Sequence, residues 1–388
     1  MTIRTIRTIR NLEELETVRA SWEKWQTHPN NDFEHFKLVC QLRKEIISPY
    51  VTAMECDGRL CALLVGRLED ARFEPSIGYF KPLRIPATTL TVLYQGLLGQ
   101  VDEKIVQEMV RHLWSSLASG EADAVVFHGL PDDSLLRQGL LVYGSKWFCE
   151  RRPHRSVHWE MVLPEEGRFL QQKMVSKHRS SIRKKQHELE SAFQGKTSWY
   201  WISRFNDVLG LCARIESVAA RTYQRSLGAG FIDDEDHRRR FCLFAVRGQL
   251  RMYLLEIDGK IRAFWIGTVY QDVFHSFETG YDPDLRQYEP GTLIFIRMVD
   301  ELAREGVRKL DFGLGDASYK QRFGDKCWGE ATFRLFAPTA KGLALRITMG
   351  LFSTADNFGR RLVQKAGVLD RLKTGWRRRL THAKPSVK

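Results

Sequence analysis

Hydrophobic and polar positions along the first 160 residues predict a mixed series of helices and strands. Asn11, with Glu14 three residues later, is typical of a capping box, so a helix is expected to run from there to Trp25. A second, amphipathic helix is expected over 101–119. The opening repeat TIRTIRTIR predicts either a short strand or a frayed terminal extension. Runs rich in β-branched and aromatic residues predict strands at 48–56, 59–68, 87–96 and 122–130.

The same order of elements recurs after residue 150, which predicts a second, related α/β half. One long helix is expected over 165–193, followed by helical stretches around 208–223. A further helix over 291–306 should return the chain to a strand at 307–313. Other strands are expected at 156–164, 197–205, 250–259, 261–270, 272–282 and 330–338.

The chain length suits this division. A chain of 388 residues exceeds one ordinary core, so we expect two mixed-sheet α/β domains at 1–160 and 161–340, with a tail at 341–388. No apolar run approaches the roughly 18 residues of a membrane span. The basic N-terminus leads into a charged segment instead of an apolar signal core, so a cytoplasmic protein is expected.

Seven cysteines stand singly in the sequence, with no CxxC pair and no histidine at metal-ligand spacing. This pattern predicts buried free thiols and no metal.

Charge is unevenly distributed along the chain. Residues 1–150 carry 17 Lys and Arg against 20 Asp and Glu, a net charge of −3. Residues 151–388 carry 43 against 27, a net charge of +16. The second half is therefore expected to meet a polyanion, a phosphorylated ligand or an anionic membrane surface.

A candidate phosphate-binding turn follows the predicted strand at 272–282. Arg286 lies in the connecting loop, and Pro290, Gly291 and Thr292 open the next helix. The first N–H groups of a helix are unpaired and carry partial positive charge, so they bind phosphates. Gly291 would let a ligand approach the backbone, and Pro290 would fix the direction of the chain.

This turn and the stretch LDFGLGDASYKQRFGDK resemble the GNAT acyltransferases, in particular the cellulose-biosynthesis acetyltransferases of the CelD/BcsL type. Order and spacing agree over about 45 residues, in the second half of the chain only. The resemblance implies a tandem GNAT-like acyl-CoA N-acyltransferase fold. The matching positions are Pro290, Gly291, Gly306, Asp311, Phe312, Gly315, Asp316, Tyr319 and Lys320.

The resemblance implies that Arg286, Pro290, Gly291 and Thr292 hold the pyrophosphate of acyl-CoA, with acetyl-CoA the expected donor. It also covers the basic segment SKHRSSIRKKQHELE, which related Fem-type peptidyltransferases carry as well. Lys177, Arg179 and Arg183 in this segment are therefore expected to bind the acceptor.

Three residues are candidates for catalysis. Lys320 is expected to stabilise the oxyanion that forms when an amine attacks a thioester, unless it only pairs with Asp316 on one short helix. Tyr319 is expected to position the substrate or protonate the leaving thiolate. Glu278 is preferred as general base over His275 and Asp311. Glu278 and His275 are three residues apart, so in a regular strand they would lie on opposite faces.

The sequence thus predicts an acyl-CoA-dependent N-acyltransferase whose first half is a degenerate partner. By resemblance, the acceptor is an amino group on a sugar, nucleotide-sugar or polysaccharide precursor. The alternatives are a Fem-like aminoacyl-tRNA-dependent transferase and an inactive scaffold of a polysaccharide synthase. Nucleic acid is not the expected partner.

The tail from Arg360 onward carries ten Lys and Arg and one Asp, with apolar residues at helical spacing. It predicts either peripheral contact with the inner membrane or a helix packed on the domain.

Overall fold

The computed structural model describes residues 3–78, 80–143, 148–150, 153–165, 167–226 and 230–365. Contacts divide the described chain into two compact units. The second unit runs from His158 to Cys327, and the described residues on either side of it form the first. The domain boundaries expected at 160 and 340 stay a prediction, and contacts place residues 328–365 with the first unit.

The first unit is built on six strands in the order β1-β2-β3-β4-β5-β12. They are β1 Arg4–Ile9, β2 Ile46–Cys56, β3 Arg59–Phe73, β4 Ile85–Gly99, β5 Ala124–Pro131 and β12 Lys326–Phe336. Only β4 and β5 pair in parallel; the other neighbours are antiparallel. Its helices are α1 Arg19–Trp25, α2 Phe33–Leu42, α3 Glu103–Ala118, α4 Leu135–Tyr143 and α12 Ala340–Lys365.

Several expectations for the first unit are confirmed and others need correction. The repeat TIRTIRTIR forms β1, which pairs with β2. Asn11 accepts the predicted hydrogen bond from the Glu14 N–H at 2.7 Å, but a 3₁₀ turn precedes α1. Helices α2 and α4 were not predicted.

Free thiols are the wrong expectation for Cys56 and Cys61, which form a disulfide across the β2–β3 hairpin. The tight turn at Asp57–Gly58 brings their Cα atoms to 5.9 Å.

The second unit holds six strands in the order β6-β11-β10-β9-β8-β7. They are β6 His154–Val162, β7 Thr197–Ile202, β8 Leu250–Ile257, β9 Lys260–Tyr270, β10 Val273–Tyr281 and β11 Lys309–Leu314. Only β10 and β11 pair in parallel. Its helices are α5 Phe169–Lys173, α6 Ser176–Ala192, α7 Val208–Ala219, α8 Tyr223–Ser226, α9 Glu235–Val246, α10 Pro290–Arg304 and α11 Ser318–Phe323.

Both faces of the strands of the second unit are covered. Trp265 of β9 packs with residues of α5, α6 and α10 on one side, here called the α10 face. Phe264 and Ile266, its neighbours along the strand, pack with α7 and α9 on the other side, the α7 face. Alternate side chains point to opposite faces of a strand, so β9 contributes to both cores.

The single long helix expected over 165–193 is wrong. The chain is extended at Met174, between α5 and α6. Phe169 and Met174 are both buried in the core of the α10 face. In one continuous helix, residues five apart would point about 140° away from each other, so the break lets both side chains reach the core.

No helix in the described ranges combines the length and the apolar character needed to cross a bilayer.

Candidate active site

In the second unit, an opening lies between the neighbouring strands β10 and β11. The two strands pair over only three residues each, Val273–His275 with Lys309–Asp311. Both strands then continue, β10 to Tyr281 and β11 to Leu314. Parallel strands that stop pairing part from one another and leave backbone groups available at the gap. His275 and Asp311 therefore stand at the closed end of this opening.

A β-bulge lies in β10 just past the last pair with β11. His275 pairs with Thr268 and Glu278 pairs with Ile266, so β10 holds one extra residue between them. Thr268 and Ile266 are two apart and lie on one face of β9. His275 and Glu278 therefore share the α7 face, and the expectation that they lie on opposite faces is wrong.

Asp311 is the centre of a buried polar cluster at the closed end. Its carboxylate lies 2.6 Å from His158 Nε2 and 3.3 Å from His275 Nδ1, and it accepts the Gly313 N–H at 2.6 Å. Burial alone would raise the pKa of Asp311, but the hydrogen bonds from both histidines outweigh it and hold that pKa well below its usual range. Asp311 is thus a fixed carboxylate and a poor acceptor for a substrate proton.

Glu278 has the opposite electrostatic character. Burial raises the pKa of its carboxyl group to about 7, opposed only by the charge of Arg240 on α9. Among the described residues it has no hydrogen-bond partner. A carboxyl group with a pKa near 7 can accept a proton at neutral pH. Of the three candidate bases, Glu278 best fits that role.

Lys320 is buried, with its ammonium group directed at the end of β11. Its Nζ donates to the carbonyl oxygens of Phe312, Gly313 and Leu314 at 2.6, 3.3 and 2.7 Å. Burial lowers the pKa of Lys320 to about 8, opposed by the charge of Asp311. An ammonium group has three protons, and all three have partners here. The oxyanion role stays a prediction, and it would require an oxyanion to displace one of these carbonyls.

The alternative expected for Lys320, an ion pair with Asp316 on one helix, is wrong. Asp316 precedes α11 and accepts hydrogen bonds from Trp159 Nε1 at 3.3 Å and Gln321 Nε2 at 2.7 Å. Tyr319 packs edge-on against Phe312 on the α10 face. Tyr319 and Glu278 therefore flank the opening from opposite faces of the sheet.

The predicted phosphate-binding turn lies directly after β10. A 3₁₀ turn at Pro283–Tyr288 leads to Glu289, which is left-handed with φ 53° and caps α10 without a side-chain hydrogen bond. Pro290 occupies the first helical position, where its missing N–H costs nothing. A Cβ on Gly291 would lie 3.1 Å from the Tyr281 ring.

Arg286 and Thr292 flank this turn. Arg286 is exposed in the 3₁₀ turn, and Thr292 is half-buried in the first turn of α10. The N–H of Thr292 donates to Glu289 O at 2.9 Å, which tightens the helix start. The four predicted cofactor residues are thus gathered at one uncapped helix N-terminus, and their roles stay a prediction.

A buried acid holds the turn in place. Asp282, 1% exposed, accepts from Arg221 at 2.8 Å, from Arg262 at 2.5 Å and from the Asp284 N–H at 3.1 Å. Removing a carboxylate from such a network leaves its cations without their partner. Asp282 therefore positions the turn while its own charge is neutralised.

The predicted acceptor residues lie in the first half of α6. Lys177 and Arg183 are exposed, whereas Arg179 is half-buried and donates to Met174 O at 2.9 Å. Lys173, three residues before α6, pairs with Asp325, which follows α11. This end of α6 is therefore near the segment that carries Tyr319.

The other end of α6 contacts the phosphate-binding turn, through Phe193 against Tyr288 at 6.1 Å. At 1.5 Å per residue, Arg183 is about 15 Å along the helix from Phe193. The geometry therefore separates the basic start of α6 from the turn, and its acceptor role stays a prediction.

The first unit has a comparable pair of strands, but its gap is filled. β4 and β5 pair in parallel only as far as Val92 and Phe127. Beyond them, the Tyr94 hydroxyl donates to Glu330 Oε1 at 2.9 Å. Tyr94 lies over Gly129, where a Cβ would come within 2.4 Å of its ring. Glu330 is 1% exposed, so this contact closes the gap from inside.

The helix after β4 is also unlike α10. Asp102 caps α3 by accepting the Ile105 N–H at 2.7 Å, and Glu103 follows in the first turn. A carboxylate already occupies this helix N-terminus, so a phosphate would be repelled there.

Sequence reasoning missed His158 and Arg240. His158 alternates with Ser156 and Glu160 along β6, so no sequence signal indicated that its side chain is buried. Arg240 lies on α9, a helix that was not predicted. It comes close to Glu278 only through the packing of α9 on the strands, and no sequence pattern indicates such a contact.

Comparison with known proteins agrees with this geometry. Residues 176–321 match a family model described as acetyltransferase (GNAT) domain. None of the curated proteins matches the chain.

Solved structures share the fold at low sequence identity. A tandem GNAT protein from the clavulanic acid biosynthesis pathway is 11% identical, with a TM-score of 0.52 over 87% of this chain and 100% of that one. FemX is 12% identical, with a TM-score of 0.53 over 86% and 97%. L-PGS from Bacillus licheniformis is 12% identical, with a TM-score of 0.50 over 91% and 99%. The fold expected from the resemblance, a tandem GNAT fold of two mixed α/β halves, is confirmed.

We expect Lys320→Met to destabilise the end of β11, because three backbone carbonyls lose a charged donor. The loss should be about 2–3 kcal/mol in urea unfolding, with faster hydrogen exchange in peptides covering 309–323. Lys309→Met is the matched control, since Lys309 is about half exposed and pairs with Glu160 at 3.3 Å. That control should cost less than about 1 kcal/mol. Wild-type stability in Lys320→Met would contradict this stabilising role of Lys320. Its ammonium group would then be available to an oxyanion.

Proposed function

We propose that the protein is an acyl-CoA-dependent N-acyltransferase whose second unit carries the reaction, with acetyl-CoA as the donor. The observation that supports this most directly is the opening between β10 and β11 with an uncapped helix N-terminus at its edge. The GNAT domain match over 176–321 covers both features. No metal takes part in the proposed reaction.

The donor would bind mainly through its phosphates. The pyrophosphate would receive a hydrogen bond from the Gly291 N–H at the start of α10, where glycine allows close approach, and Arg286 would add positive charge. From there the pantetheine arm would follow β10 into the opening, so that the thioester comes to lie between the separated strands. Asp282 would keep the turn in the conformation that presents the Gly291 N–H.

The amine must lose a proton to attack the thioester. Glu278 lines the opening, and its carboxylate form, present above about pH 7, can take that proton directly or through a water. The new C–N bond forms as the C–S bond breaks, and the thiolate leaves. Tyr319, on the other face, would return a proton to sulfur. Lys320 would act as a positioning residue for β11.

The acceptor is proposed to be an amino group on a sugar, nucleotide-sugar or polysaccharide precursor. This class rests on the CelD/BcsL-type resemblance of the motif from Pro290 to Lys320. Lys177, Arg179 and Arg183 would meet phosphate groups on such an acceptor, near the end of the opening that carries Tyr319. Because acyl-CoA is an intracellular donor, the proposed activity is cytoplasmic.

The first unit is proposed to bind no acyl-CoA. Tyr94 and Glu330 close its gap, and Asp102 occupies the N-terminus of α3. We therefore expect calorimetry with acetyl-CoA to give one site per chain. Two equal sites would contradict the proposal that the first unit binds no acyl-CoA. No binding of any acyl-CoA would rule out acyl-CoA as the donor. In that case transfer from aminoacyl-tRNA, the Fem-like alternative, is the next assay.

We expect Glu278→Gln to lower kcat/KM by about 10²–10⁴-fold, because the amide cannot accept the proton. The wild-type rate should rise with pH through about 7, following deprotonation of Glu278, and this limb should disappear in the variant. Glu235→Gln is the matched control, since Glu235 is 77% exposed on α9. A variant that keeps the wild-type pH profile would remove Glu278 from the mechanism.

We expect Gly291→Val to weaken acetyl-CoA binding by about tenfold or more, because the new side chain presses on Tyr281 and fills the path to the backbone. Equilibrium titration of the folded variant measures this. Gly350→Val on α12, where a Cβ meets nothing within 4 Å, serves as the control. Unchanged binding in Gly291→Val would place the cofactor elsewhere.

A further inference from the structure

Four aromatic rings close one face of the opening between β10 and β11. On the α10 face, the centroid of the Trp265 ring lies 5.7 Å from that of Tyr319 and 5.0 Å from that of Phe295. The Phe312 ring completes the circuit, at 5.9 Å from both Tyr319 and Phe295. Trp265, Phe295 and Phe312 are buried, and Tyr319 is half-buried. We call these four residues the aromatic wall.

The aromatic wall spans the opening at its innermost level. Trp265 belongs to β9, and its Nε1–H donates to Ser276 Oγ at 3.0 Å, so the indole reaches across to β10. Phe312 belongs to β11. Ser276 and Phe312 directly follow the last pair of residues that joins the two strands. The contact of Trp265 with Tyr319 therefore connects the two sides of the opening immediately beyond its closed end.

Polar residues form the other boundaries of this innermost space. His275 Nδ1 lies 3.3 Å from the Asp311 carboxylate at the closed end, and Glu278 lies on the α7 face. An amine that gives its proton to Glu278 approaches from the α7 face. Because the acceptor needs that face, an acyl group can extend only toward the closed end or toward the aromatic wall.

The length of β10 brings the acyl group to this space. At the proposed phosphate site, a Cβ on Gly291 would lie 3.1 Å from the Tyr281 ring. Tyr281 and His275 pair with Ala263 and Thr268, which are five residues apart on β9. Five extended residues span about 17 Å, comparable with the reach of a pantetheine arm from its phosphate to its sulfur. A donor held at Gly291 therefore brings its thioester beside the closed end.

We infer that the aromatic wall limits the donor to short acyl groups, with Tyr319 and Phe312 as residues that determine this specificity. The inference rests on the proposed acyl transfer and adds a reason within the site for the choice of acetyl-CoA. An acetyl group ends one carbon beyond the thioester carbonyl. Each further methylene of a longer chain would press on the rings or on the pair of His275 and Asp311. Packed rings make room only by leaving their positions in the core, which weakens binding of the longer chain.

Equilibrium titration of the full-length protein with acetyl-CoA and hexanoyl-CoA tests the inference. The two ligands share the phosphates and the pantetheine arm, so the ratio of their dissociation constants isolates the effect of the acyl chain. We expect the wild type to bind hexanoyl-CoA about tenfold or more weakly than acetyl-CoA. Equal affinities would overturn the inference and leave acyl-CoA as the donor. No binding of either ligand would overturn the donor, and the inference with it.

Tyr319→Ala should bring the two affinities to within about threefold of each other, because the lost ring leaves space for the longer chain. Tyr319→Phe is the matched control. It removes the hydroxyl group proposed to return a proton to sulfur but keeps the ring, so the wild-type ratio should remain. A wild-type ratio in the folded Tyr319→Ala variant would contradict a steric role for this ring.

Phe312→Leu tests the aromatic wall from β11 and should also reduce the preference for acetyl-CoA. Phe323→Leu is its control, since Phe323 is 3% exposed against 4% for Phe312 and packs on Phe295 and Phe169 in the same core. Each variant removes one buried ring, so a similar loss of stability is expected, but only Phe312→Leu should change the ratio. Equal changes in both variants would assign the effect to general loosening of the core and overturn the inference.

Discussion

The backbone groups left unpaired where β10 and β11 separate are the constraint on which the candidate site depends. A buried carbonyl without a donor costs about 1–3 kcal/mol, so an opening inside a sheet is stable only if other groups replace the missing strand. Lys320 supplies donors to three carbonyls of β11, and Asp311 accepts the N–H of Gly313. The bulge in β10 follows at the same level and turns Glu278 to the face of His275. The opening, the Lys320 contacts that stabilise the end of β11 and the candidate base Glu278 thus form one arrangement.

In the first unit, side chains fill the comparable gap between β4 and β5. There the strands also stop pairing early, but Tyr94 crosses over Gly129 to the buried Glu330. A side chain fills the space that a substrate arm would need, and Asp102 takes the helix terminus that a phosphate would need. A similar strand order in the two units therefore does not give both units a site. The difference is made by a few polar side chains, which is why only the second unit is proposed to react.

The sequence predicted the strands and helices that bear strong periodic signals, and it predicted the turn at Pro290–Thr292. It did not predict the break at Met174, because the burial of both Phe169 and Met174 is decided by the core and not by local pattern. Nor could it predict the bulge in β10, which reverses the expected relation of His275 and Glu278. Register depends on what the neighbouring strand offers, and no local signal records it. The partners of Lys320 were missed for the same reason.

The charge asymmetry of the chain changes meaning once the units are known. The +16 of residues 151–388 invites a single polyanion site. In the structure this excess is divided, because α6 belongs to the second unit while α12 packs on the first. The cations of α6 lie beside polar groups and near the segment of Tyr319, an environment suited to a phosphorylated acceptor. Residues 341–388 hold twelve Lys and Arg against two Asp in the sequence, and α12 packs on the first unit. The net charge of +16 therefore belongs to segments of both units and does not by itself indicate a single polyanion site.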